Sequence, residues 1–145
     1  MSGSRVSSTR WAPPRSNTRA SQGATVYVAD RLGARPDVTL LCERALTRAV
    51  LDKNGKVSAE ALINPVAIVE VLSDSTEGYV RGKKFGHYRR IASLKEYVLV
   101  SQDDHLIEGF RPNAAGHWAL EEEARDGETV VIHGATIEVD STYSD

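Results

Sequence analysis

The run Val66–Leu72 (VAIVEVL) constrains the fold more than any other feature of this 145-residue chain. It is short, rich in β-branched residues and stopped on its N-terminal side by Pro65, which suits a strand buried inside a sheet. A strand alternates its side chains, so Val66, Ile68, Glu70 and Leu72 share one face. That puts a carboxylate on an otherwise apolar face. Stripped of water, such a group persists only if it is paired, protonated or bound to a cation. The alternative is a sheet-edge Glu, or one paired with a nearby Arg.

Around this strand the pattern alternates. Thr25–Ala29 and Asp37–Cys42 are β-prone, residues 43–63 are mixed around a turn at Lys53-Asn54-Gly55, and Asp74 with Glu77 three residues on resembles a helix start. That helix is expected to run to about Ala92. Lys95–Ser101, Leu106–Arg111 and His117–Glu121 read as strands. Glu128–His133 and Thr136–Val139 then form a last hairpin about Gly134. The order predicts an α/β (α+β) fold, a mixed β-sheet core with a flanking helix and C-terminal β-hairpins.

One domain is expected over residues 25–140, with residues 1–24 a disordered tail and 141–145 a short C-terminal tail. The first 24 residues are rich in Ser, Arg, Thr and Pro and lack any hydrophobic period. No stretch is apolar enough for a membrane span. The single cysteine, Cys42, allows no internal disulfide and fits a reducing cytoplasm. It reads as a packed core thiol rather than a nucleophile. The four histidines lack close metal-ligand spacing, which argues against zinc.

The net charge of −2 conceals an uneven distribution. Residues 1–36 carry six Arg against Asp30, residues 96–145 carry twelve acids against Arg111 and Arg125, and Arg81–Lys95 holds six Lys/Arg and no acid. Nucleic-acid contact must therefore be local rather than a property of the whole surface.

Asp37 opens a β-prone run behind Pro36, where a strand can present its first side chain to a cleft, although Pro-Asp is also a turn signal. Two carboxylates on neighbouring strands can share one hard cation. On a regular helix Lys84 lies about 40° from Tyr88 and Arg81 about 20°, with Phe85, Ile91 and Ala92 within about 60°. Lys84 and Arg81 thus belong to the sheet-facing side, and Lys83, Arg89 and Arg90 to an ordinary solvated face. An inward Lys needs a carboxylate or an anion, unless its stem merely lies along the helix flank.

The ordered set Arg35-Pro36-Asp37, Glu70-Val71-Leu72-Ser73, Ser75-Thr76, Arg81-Gly82-x-Lys84-Phe85-x-x-Tyr88 and Ser93–Val100 resembles the Uma2 family of restriction-endonuclease-like proteins. That family lies in the PD-(D/E)XK nuclease superfamily, and the resemblance covers roughly residues 35–139. It implies a restriction-endonuclease-like fold and Mg²⁺-dependent hydrolysis of DNA phosphodiester bonds, with Mn²⁺ as an alternative ion. Asp37 and Glu70 match the metal-binding carboxylates, and the backbone carbonyl of Val71 a further ligand. In most of the superfamily a Lys stands two residues after the Glu, where this chain has Leu72; in the family resembled the Lys comes from the helix, and matches Lys84. Arg81 is a candidate for contacting phosphate. A homodimer is an expectation of the same kind. The segment before the first strands departs from the family pattern, so the alternative expectation is a truncated, catalytically inactive remnant acting as a binding or oligomerisation module.

Overall fold

The computed structural model describes residues 19–29 and 32–143. Twelve strands are present among them: β1 (Arg19–Gln22), β2 (Val26–Ala29), β3 (Leu32–Ala34), β4 (Val38–Leu41), β5 (Thr47–Leu51), β6 (Val57–Leu62), β7 (Ala67–Leu72), β8 (Glu96–Ser101), β9 (Ile107–Pro112), β10 (Trp118–Ala124), β11 (Thr129–Ile132) and β12 (Ala135–Glu138). Helical structure among the described residues is confined to α1 (Glu77–Tyr79), a π turn (Val80–Lys84), α2 (Phe85–Tyr88) and α3 (Val139–Thr142).

The main sheet has the order β1-β4-β7-β8-β9-β10. Only β7 and β8 run parallel, with Glu70 beside Leu99; every other neighbouring pair is antiparallel. A parallel pair needs a crossover, and α1, the π turn and α2 supply it. Both faces of β7 and β8 are therefore covered, which explains the nearly unbroken apolar reading of each. Ile68, Leu72, Tyr97 and Leu99 pack under the crossover with Val80, Tyr88, Ile91 and Leu94. Val98 and Val100 pack on the other face with Val130, Ile132, Val139 and Tyr143. The hairpin β11–β12 and α3 thus cap the face opposite the crossover helix. A second sheet, β3-β2-β6-β5, lies beside the first, its Val26 buried in the same cluster as Tyr88.

Three features differ from the sequence reading. Residues 19–22, placed in a disordered tail, form β1, because the outer edge of β4 offers unpaired backbone groups from Val38 to Leu41. The rest of that tail, residues 1–18, lies outside the described residues. Residues 141–143 are not a loose tail: Tyr143 is buried, and its hydroxyl donates to the carbonyls of Ser101 and Leu106, the latter at 3.0 Å. Cys42 is half-buried and touches His133, with Sγ 2.6 Å from Nε2.

Candidate active site

The pairing of β4 with β7 runs as far as Val38 opposite Val69 and stops there. One residue further comes Asp37 opposite Glu70, then Pro36, which has no N–H to give a ladder. Side chains take over where the backbone cannot continue. The Asp37 N–H donates to Glu70 Oε1 at 3.2 Å, and the Val71 N–H donates to Asp37 Oδ2 at 2.7 Å. Each carboxylate is thereby held by the opposite strand. The two sit together at one sheet end, Asp37 exposed and Glu70 only 2% exposed.

Glu70 is held by two more groups. Lys84 Nζ lies 2.7 Å from Oε2, and the Tyr88 hydroxyl donates to the same oxygen at 3.1 Å. Burial pushes the Glu70 carboxyl above its ordinary range; the Lys84 ammonium pulls it down and the Asp37 charge pushes it up, leaving it raised. Burial, then Glu70, holds the Tyr88 phenol far above its usual range, so it stays a neutral donor.

Lys84 reaches Glu70 because of how the crossover helix is wound. The Phe85 N–H is shared between the carbonyls of Gly82 and Val80, so an extra residue is accommodated before regular winding resumes. Lys84 closes that π turn and stands one regular turn before Tyr88, over whose ring its ammonium lies at 5.9 Å. The Tyr97 hydroxyl donates to the Val80 carbonyl at 3.3 Å, and Phe85 stacks on the Tyr97 ring with centroids 4.4 Å apart. These contacts fix the turn against β8.

The structure therefore brings Asp37, Glu70 and Lys84 together, with Val71 bound through its N–H to Asp37. Arg81 does not join them. Its guanidinium is engaged by Glu77 at 2.7 Å and by Glu108 on β9, and it ties the helix to the far side of the sheet. Its cation is neutralised there, which removes the basis for reading it as a free phosphate contact. Tyr88 is the site residue that sequence reasoning passed over. It had served only as the inward reference of the helix, yet a buried phenol needs a hydrogen-bond partner, and Glu70 was within reach.

The donor chemistry suits a hard divalent ion: two carboxylates at one strand end, one of them bound to the Val71 N–H. Among the described residues, no cluster of three or more His, Cys, Asp or Glu side chains could hold a metal. Any ion at Asp37 and Glu70 would thus have two carboxylates and must complete its shell with backbone oxygen, water or substrate.

A second polar cluster lies on the opposite face, at the other end of β8. Glu96 accepts from Arg111 Nε at 2.9 Å and from the His133 N–H, and Arg111 also pairs with Glu122 and donates to the Val131 carbonyl. With Gly134 these groups line a cleft of about 470 Å³. They pin the β11–β12 hairpin to the sheet.

Comparison with known proteins gives the family and the fold. The family model Uma2, described as "Putative restriction endonuclease", matches residues 7–140. The chain is 34% identical over 109 residues to the uncharacterized protein slr1290 of Synechocystis, covering 74% of this chain and 53% of that one. It is 36% identical over 87 residues to sll1609 of the same organism, covering 60% and 45%. The chain thus spans about half the length of the curated relatives it matches. Among solved structures, "a putative nuclease belonging to DUF820" from Anabaena variabilis superposes with a TM-score of 0.60 at 17% identity, covering 89% of this chain and 69% of that one. The fold is accordingly restriction-endonuclease-like.

Proposed function

Because the chain belongs to the Uma2 family, we propose that it is a metal-dependent endonuclease hydrolysing DNA phosphodiester bonds. One observation carries this reading. A buried carboxylate, an exposed carboxylate and an ammonium meet where β4 and β7 stop pairing, linked by contacts of 2.7–3.2 Å. Glu70 is costly to bury, and the Lys84 ammonium, the Tyr88 hydroxyl and the Asp37 N–H hold its carboxylate in place.

In the proposed mechanism Asp37 and Glu70, with the Val71 carbonyl, would hold Mg²⁺, for which Mn²⁺ would substitute. Such an ion would supply polarisation of a phosphoryl oxygen and a lowered pKa for an attacking water. Lys84 keeps hydrogens beyond the one aimed at Glu70. With these it orients the water or stabilises negative charge as it builds on the phosphate. Tyr88 and the Asp37 N–H fix the Glu70 carboxylate, so its geometry is set before substrate arrives.

The test is incubation of supercoiled plasmid with the protein and Mg²⁺ or Mn²⁺, beside Asp37→Ala and Lys84→Ala variants. Nicking by the parent, lost in both variants and in EDTA, is the expected result. Cleavage that persists in both would remove these residues from the chemistry. We further propose a cytoplasmic homodimer; sedimentation of the purified chain would test the dimer, and a monomer would refute it. No helix among the described residues is long and apolar enough to cross a membrane.

A further inference from the structure

The crossover helix presents an unusual outer surface. Gly78, Gly82 and Gly86 recur every fourth residue, and none has a positive φ that would require glycine. A Cβ added at Gly78 or Gly82 would meet nothing within 4 Å, and at Gly86 it would meet only Arg89 Nη2 at 3.8 Å. Internal packing therefore does not demand these glycines, although glycine weakens a helix. Cations flank the row. Lys83, Arg89 and Arg90 are exposed, and none enters an ion pair among the described residues. Arg89 is held by stacking, its guanidinium carbon 5.2 Å from the Phe85 ring centre. Arg35, two residues before Asp37, has its Nε on the Gly23 carbonyl at 3.3 Å and is likewise exposed and outside any ion pair among the described residues. Lys83 is the immediate neighbour of Lys84.

We infer that the outward face of the crossover helix is a docking surface for the DNA backbone: Lys83, Arg89 and Arg90 grip phosphates there, and the glycine row lets the strand lie against the helix. The inference rests on the nuclease reading and adds to it where the substrate runs. It also exchanges roles within the basic segment. Arg81, turned toward the sheet, is spent on Glu77 and Glu108, whereas its outward neighbours keep their charge for phosphate. The contacts are to backbone, so binding is salt-dependent and tolerant of sequence.

The test measures anisotropy of a fluorescein-labelled 20-base-pair duplex in EDTA over a salt series. Lys83→Ala/Arg89→Ala/Arg90→Ala is expected to weaken binding at least tenfold. It should also flatten the log K against log [salt] slope by about 2–3, near 0.9 for each phosphate that is no longer neutralised. Gly82→Gln separates binding from folding: Tm should rise by about 2–4 °C, while DNA binding falls several-fold. Parent-like affinity and slope in the triple variant, or undiminished binding by Gly82→Gln, would overturn the surface. Nicking of supercoiled plasmid by the parent with Mg²⁺ or Mn²⁺ decides the nuclease reading separately. Its failure alongside a charge-dependent duplex complex would leave the surface standing and the chemistry refuted.

Discussion

Replacing Lys84 with Met keeps most of its apolar stem and removes only the ammonium, so it isolates what that charge does for Glu70. The pair is largely buried, with Lys84 17% and Glu70 3% exposed at the side chain. Removing one partner of such a pair leaves an uncompensated charge. The penalty should be about 3 kcal/mol, at the low end of the range for buried pairs, because the Tyr88 hydroxyl and the Asp37 N–H still bind the carboxylate. For a chain of this size that is on the order of 10 °C in Tm. The pH dependence follows from burial, which raises the folded-state carboxyl above its ordinary value of 4.5. A carboxyl raised by folding contributes stability below its unfolded pKa and loses it as pH rises through the folded one. Loss of Lys84 raises it further, so the Lys84→Met deficit should be smallest near pH 5 and largest at pH 8. Urea unfolding in EDTA at both pH values, with Glu70→Gln and the double variant, completes the cycle. In the double variant the amide oxygen can accept the Asp37 N–H and the amide nitrogen can donate to Tyr88, so most of the loss should return. An equal deficit at pH 5 and pH 8, or no recovery in the double variant, would refute the account of Glu70 as a charge held in place by Lys84.

Tyr88→Phe removes a buried donor to a carboxylate and should cost about 2 kcal/mol in urea unfolding; an unchanged midpoint would mean that the 3.1 Å contact contributes nothing. Asp37→Asn keeps an acceptor for the Val71 N–H but halves the carboxylate set. The parent should gain about 2.7 kcal/mol at a Mg²⁺ concentration one hundred times its Kd, and the variant should show no Mg²⁺-dependent rise in Tm. Arg81→Ala and Glu108→Gln should prove coupled, by about 1 kcal/mol once solvent screening of the one-third-exposed Arg81 is allowed for. Additive effects in that double-mutant cycle would deny the helix its tie to β9.

What could be read from sequence follows the strength of local patterning. VAIVEVL declared its own strand and face, and Glu70 was recognisable because a carboxylate conflicts with its neighbours there. β5 and β6 were lost in a stretch read as mixed. Their first residues are exposed, and only Val50, Ala61 and Leu62 are buried, so alternation is faint. β1, with sequence RASQ, has no β signal of its own and is a strand because β4 has an open edge. Nor does periodicity announce the π turn. On a regular helix Val80 falls about 80° from Tyr88, yet it is buried at 5% exposure. The extra residue in the turn rotates everything before it, bringing Val80 to the seam and carrying Arg81 toward β9. Lys84, one regular turn from Tyr88, lies beyond that distortion and meets Glu70, whereas Arg81 also faces the sheet but reaches Glu108 on β9 instead. A segment with three glycines and a π turn is a weak helix by itself. It is held by Lys84 on Glu70, Arg81 on Glu108, and Phe85 and Val80 on Tyr97. The contacts that assemble the site are therefore also those that keep its helix wound, and weakening either should loosen both.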